Sequence, residues 1–304
     1  MLKETLLSKI DDVEKIATAS KVGRLLRHPS KYIEAILFRE LKYKKNQVEK
    51  AVKCRTFFGT EMQLLLPSST DIYLTGGKSH DSEIRLARFI IRTLSADDTF
   101  IDVGAHYGYF SLLASVIVGD NGQVLSFEAA PKTYDILNKN CDHISNITSH
   151  HNAVSNASEI LSFYEFPNMY SEYNTLDVTQ FENEEWYQKS KPKKVDVKSI
   201  ILDDILSQNN LTPKMIKIDV EGAELKVING MKKHIKKERP IIVMEYLSNN
   251  RNNDIHIQAE RYLLSENYIS HLIDKSGHLL KAQNISQYLT ENNMESDNVV
   301  FIKS

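Results

Sequence analysis

The sequence predicts an α/β domain built on a mostly parallel, doubly wound sheet with helices on both faces, and three observations carry that prediction. From Thr99 onward, strand-length apolar runs alternate with helix-length amphipathic ones, the pattern of crossover connections between parallel strands. Two of the strands run into acidic residues beside a glycine, Phe100-Ile101-Asp102-Val103-Gly104 and Ile216-Lys217-Ile218-Asp219-Val220-Glu221-Gly222, at the strand ends where open α/β sheets hold ligands. At 304 residues and 41% hydrophobic content, the chain can build one large domain with an appendage.

The elements follow in order. Residues 2–50 read as helices, because Leu6, Leu7, Ile10, Val13 and Ile16 recur at three- and four-residue spacing and, after a break at His28-Pro29, Tyr32, Ile33, Ile36, Leu37 and Leu41 do the same. Residues 55–75 read as a small β unit with strands at Thr56–Phe58, Met62–Leu66 and Asp71–Leu74. A helix over about 82–94 leads into strand 99–103, a helix to about 118, strand 124–128, helix 131–141 and a strand near 149–154. Residues 160–197 are irregular and aromatic, as insertions that build pockets often are. Strand 215–220, helix 223–234, strand 241–246, helix 255–266, strand 268–273 and a last strand 298–302 complete the pattern. The organisation expected is a helical, basic extension over 1–54 and a catalytic domain over 55–304.

Lys and Arg number 38 against 40 Asp and Glu, a near-neutral balance that excludes a protein coating nucleic acid through a global basic excess. Charge is local instead. Residues 21–55 carry eleven Lys or Arg against three Glu, an excess of eight. That segment is open to two readings, a solvated helical face docked on the main domain or an amphipathic basic surface touching anionic lipid or a polyanion. Nucleic acid is not expected as a partner, since no recognised motif or aromatic stacking platform accompanies the charge. Two cysteines, Cys54 and Cys141, make no disulfide framework or C-x-x-C pair, and no apolar run approaches the roughly 20 residues that span a bilayer. The expected setting is cytoplasmic, free or peripheral at the inner face of a membrane.

Chemistry concentrates at three strand ends. Asp102 closes an apolar strand before Gly104 and Gly108, and an acid there suits a ligand carrying an amine. The turn lacks the Gly-x-Gly-x-x-Gly and Gly-Lys-Ser/Thr patterns of dinucleotide and nucleoside triphosphate sites. Glu128 ends the next strand 24 positions after Gly104, where an acid accepts hydrogen bonds from both ribose hydroxyls in nucleoside-binding sheets. Asp219 and Glu221 close the later strand, with Glu224 on the first helical turn behind them, where stabilisation of the helix dipole is the favoured role.

Together with Asn152–Ser155, Leu202–Leu206 and Pro240–Glu245, these segments resemble the FkbM-type family of S-adenosylmethionine-dependent methyltransferases; the Asp-Val-Glu-Gly-Ala-Glu run at 219–224 carries most of the likeness. His106 departs from the Asn more usual in the family. The resemblance implies a class I methyltransferase, a Rossmann-like seven-stranded sheet with its last strand antiparallel, holding S-adenosylmethionine over its carboxyl edge. Asp102 would act on the methionine amine directly or through water, Gly104, Ala105, His106 and Gly108 would lie beside the methionine part, Glu128 would hold the ribose, and Asn152 and Ala153 would lie near the adenine, with S-adenosylhomocysteine as product.

Methyl transfer to oxygen needs in-line positioning and a late proton acceptor. The candidates are Glu221 and Asp219, then Glu245, with His80 and Glu83 and the aromatic segment at Tyr173 and Asn174 expected around the acceptor. Capping by Asp81 or Ser82 competes with a catalytic role near His80. No metal is expected, although paired acids also suit a divalent cation. The resemblance points to a sugar hydroxyl of a glycan, polysaccharide or glycolipid as acceptor, with a natural-product hydroxyl or a non-catalytic adenosyl-binding scaffold as alternatives.

Overall fold

A computed structural model describes residues 1–304 except Asn252, and the backbone only of Lys21. Its central sheet has eight strands, numbered here β1 Thr99–Val103, β2 Gln123–Glu128, β3 Ile147–His151, β4 Met215–Ile218, β5 Ile241–Leu247, β6 Tyr268–Ile273, β7 Leu279–Lys281 and β8 Ser296–Lys303. Across the sheet they run β7-β6-β8-β5-β4-β1-β2-β3. β3, β2, β1, β4 and β5 are mutually parallel, and β8 runs antiparallel between β5 and β6. The seven-stranded core with its last strand antiparallel is therefore present, and a short hairpin through Asp274–His278 adds β7 as an eighth edge strand. Strand order reverses between β1 and β4, which opens a crevice at their carboxyl ends.

Alternation along the strands feeds two apolar layers. Phe100, Val124, Met215 and Val243 point into one, together with helices Leu2–Ala17, Asp81–Thr93, Tyr109–Val118 and Pro131–Cys141. Ile101, Leu125, Ile216 and Ile242 point into the other, against helices Leu202–Gln208, Glu224–Asn229, Asp254–Ser265 and Ile285–Glu291. The first helix shares this core through buried Leu6, Ile10 and Val13. Buried Arg88 ties it down by bonding Asp11 and Glu14.

Several elements differ from the sequence pattern. The first strand of the small β unit is Lys50–Arg55, paired with Glu61–Leu66, and Thr56–Gly59 forms the turn between them. Asp71–Leu74, expected as a strand, lies in helix Thr70–Thr75, which Gly76 ends at φ +76°. The strand expected at 149–154 divides at Asn152 between β3 and Ala153–Ser155, which joins a three-stranded sheet with Ile160–Glu165 and Lys193–Ile201. The helix expected over 223–234 breaks at Gly230, whose missing side chain leaves room for the Ser155 carbonyl. Among the described residues, no helix is long and apolar enough to cross a membrane.

Candidate active site

A cavity of about 720 Å³ opens over the carboxyl ends of β1, β2, β4 and β5. Its floor is laced by backbone. Gly104 and Ala105 both donate to the Phe127 carbonyl at 3.0 Å, and Asp219 N–H donates to the Val103 carbonyl at 3.0 Å. Gly104 sits at φ +78°, and a Cβ there would lie 1.8 Å from the Asp219 carbonyl oxygen. Glycine at 104 therefore admits the neighbouring strand end. Gly108 (φ +87°) has a similar packing role, since a Cβ would meet Leu137 at 2.8 Å.

Every residue expected at the site lines this cavity except Asp102 and Gly108. Asp102 corrects the expectation of an acid beside the ligand amine. It lies behind the wall, accepting from Ser111 Oγ at 2.6 Å and standing 3.6 Å from Lys217 Nζ. Lys217 is itself buried, lines the cavity, and donates to Asp219 at 3.1 Å. Gly108 is the second correction, for the packing reason above.

Glu128 ends β2 with its carboxylate accepting from the backbone N–H of His106 and of Ala130, each at 2.9 Å. Burial lifts its carboxyl to about 7 against those two donors. His106, at φ +49°, stacks on Tyr107 and holds Nε2 3.0 Å from Ser171 Oγ. Burial, helped by the Lys78 charge, drops its imidazole to about 3, so it is neutral and a weak proton acceptor. Asn152 donates to the Lys198 carbonyl at 3.2 Å, at the point where the chain changes sheets.

β5 lies beside β4, and the pairing adds Glu245 to Asp219 and Glu221; one oxygen from each falls within 4.8 Å of the others. This donor set is also one that a divalent cation accepts. The three acids divide the charge unequally. Burial pushes Asp219 up, but Lys217 and Lys78 outweigh it and leave the group below its ordinary value. Burial and the neighbouring Glu245 and Asp219 charges drive Glu221 well above the carboxylate range. Burial, then Asp219, carries Glu245 to about 8.

The loop holding Glu221 is built for its shape. Glu221 has φ +49° and Gly222 φ +97°. Its carbonyl accepts from Thr175 Oγ1 at 2.6 Å and from Gln180 Nε2 at 3.0 Å. The Glu224 carboxylate accepts from Gly222 N–H at 3.2 Å and faces His256 Nε2 at 3.3 Å. Glu224 thus braces the loop from beneath, more than the dipole role its position suggested. Thr175 and Gln180 come from the aromatic insertion, and no spacing in the sequence links them to residue 221.

Among the residues expected around an acceptor, Glu83 pairs with Lys78 at 2.9 Å, and His80 Nδ1 lies 2.8 Å from Ser82 Oγ. Neither Asp81 nor Ser82 caps the helix; Asp81 pairs with Arg85. Tyr173 packs against Phe181 and Trp186, and Asn174 accepts from Phe166 N–H at 2.7 Å. Sequence reasoning missed Lys78, Lys217 and Arg251. The one available signal was a lysine inside the apolar run of β4.

The lining holds nine carboxylates, Asp71, Asp81, Glu83, Glu128, Glu172, Asp219, Glu221, Glu245 and Glu295, against Lys78, Lys217 and Arg251. Glu221 Oε2 is buried without a hydrogen-bond partner among the described residues. An acid-rich cavity with an unpartnered carboxylate oxygen fits a cationic ligand.

The model of the methyltransferase FkbM domain family matches residues 102–270, and the chain belongs to that family. It is 27% identical over 179 residues to "Methyltransferase sdnD" of Sordaria araneosa, covering 50% of this chain and 68% of that protein. It is 26% identical over 158 residues to "Hexuronic acid methyltransferase AglP" of Haloferax volcanii, covering 51% of this chain and 59% of that protein. The solved methyltransferase FkbM of Methylobacillus flagellatus KT aligns with TM-score 0.44 at 16% identity over 77% of this chain and 52% of its own. This chain thus spans 59% of AglP and about half of the solved structure.

Proposed function

We propose that the protein is an O-methyltransferase acting on a sugar hydroxyl of a glycan, polysaccharide or glycolipid, with residues 55–304 as its catalytic unit and 1–54 as an extension. The observation that carries this reading is the carboxylate group Asp219, Glu221 and Glu245, set beside the Gly104 turn and Glu128 in one acid-rich cavity. The similarity to a hexuronic acid methyltransferase supports a sugar as acceptor.

S-adenosylmethionine, when bound, supplies an electrophilic methyl group on a sulfonium. Glu128 would accept from the ribose hydroxyls, Asn152 and Ala153 would border the base, and the 104–106 turn would border the amino-acid end. Asp102 then acts at one remove, by holding Lys217. Glu221 would take the acceptor's proton: the O–H bond breaks toward its carboxylate as the new C–O bond forms and the methyl C–S bond breaks, with S-adenosylhomocysteine as the leaving group. Asp219, neutralised by Lys217, is the weaker base. A cation in the cavity favours the ionised form of Glu221 and Glu245, so binding prepares the base.

Mass spectrometry of glycans incubated with isotopically labelled methyl donor tests the reading. Labelled O-methyl sugar is expected, and Glu221→Gln should keep S-adenosylhomocysteine affinity while lowering kcat on the order of 10²–10⁴-fold. A fully active variant removes Glu221 as base, and methyl incorporation only at nitrogen or carbon would refute O-methylation.

A further inference from the structure

Of the thirteen large apolar side chains left exposed among the described residues, seven fall between residues 22 and 48. They are not scattered. On helix Lys21–Arg27, Val22 and Leu26 stand four residues apart at 64% and 76% exposure. On helix Pro29–Leu37 and the π-helical turns Phe38–Tyr43, Ile33, Leu37 and Leu41 repeat at the same spacing, at 49%, 50% and 58%. Residues four apart share a helix face, so these are outward apolar stripes. The inward faces are satisfied separately: Ala35, Phe38 and Tyr43 are buried.

We propose that this face of residues 22–45 is a docking surface for an anionic lipid bilayer, lying in the headgroup region with its apolar stripes inserted. Two observations select that partner. The stripes lie within the segment whose basic excess is eight. Exposed Arg27, Lys42 and Lys45 have no acidic partner among the described residues, whereas Arg39 and Lys44 spend theirs on Glu40. Apolar side chains flanked by free cations match the acyl boundary and the charged headgroups together. The same charge opposes a second copy of this chain, because pairing would set two basic faces together. The surface is also coupled to the cavity. Lys31 donates to the Tyr73 carbonyl, Glu34 accepts from Tyr73 Oη, and Tyr43 Oη accepts from Met169 N–H, so the helices on the membrane brace segments whose neighbours Ile72 and Ser171 line the cavity.

Removing the segment is a poor test, since its own Ala35, Phe38 and Tyr43 are buried in the core. Co-sedimentation of the full chain should instead compare phosphatidylcholine vesicles with vesicles holding about 30% phosphatidylglycerol. Binding is expected to the anionic vesicles and to fall at least about tenfold in Leu26→Ser/Leu37→Ser/Leu41→Ser and, independently, in Lys42→Glu/Lys45→Glu, while S-adenosylhomocysteine binding and thermal melting stay unchanged. Equal binding to both vesicles, or none, overturns the proposal. So does a concentration-dependent dimer, seen by light scattering, that the triple variant converts to monomer.

Discussion

Lys217 shows how much one side chain can rearrange a site. It interrupts the apolar run of β4, is 2% exposed, and sits between Asp102 and Asp219. A buried cation needs anionic partners, and supplying them moves Asp102 from ligand contact to support. The sequence showed each acid at its strand end but not that the first would be turned away. Glu128 does line the cavity, because its strand ends there and its carboxylate is held by two backbone donors. With its carboxyl near 7, Glu128 must be ionised to make the proposed contact with two ribose hydroxyls. S-adenosylhomocysteine affinity should therefore weaken as pH falls through about 7, and Glu128→Gln should flatten that dependence in calorimetry; a wild-type profile unchanged in the variant would assign the titration elsewhere.

At the scale of elements, the strand–turn–helix units were legible because period-2 and period-3.6 patterns are local. The insertion was legible only as irregular. It meets the site through two long-range bonds, Thr175 and Gln180 to the Glu221 carbonyl, made because the hairpin Ile160–Glu165/Lys193–Ile201 returns the loop over β4. A non-glycine residue at positive φ is strained, at about 1–3 kcal/mol, and these bonds with Glu224 offset that cost. Thr175→Val should lower kcat about tenfold with little change in KM for the methyl donor, and Thr175→Ser should restore it. Equal kcat in all three enzymes would reduce Thr175 to a packing residue. Turn-level failures had local causes: Asp71–Leu74 alternates too briefly to separate strand from helix, and tertiary pairing drew the first hairpin strand back to Lys50.

At the scale of the whole molecule, the helix before β1 is anchored to the last strand. Arg85, buried, pairs with fully buried Asp297 of β8 at 2.9 Å and donates to the Ile273 carbonyl at 2.7 Å. Removing one partner leaves the other charged and buried, so Asp297→Ala should destabilise the fold by about 3–5 kcal/mol in urea unfolding. A change below about 1 kcal/mol would show that water reaches Arg85 easily. This link crosses 212 residues and could not be read from spacing.

The sequence by itself determined the alternation of elements, the sheet class, the glycine turns and which strands would end in acids, because patterning, turn chemistry and chain order are local. It also showed the basic excess of residues 21–55. Only the tertiary structure decided which acids face the cavity, that Glu245 joins Asp219 and Glu221, that Asp102 stands behind Lys217, and which way the basic helices turn their apolar stripes. Burial and charge compensation depend on what packs against each side chain, and here those neighbours come from distant parts of the chain.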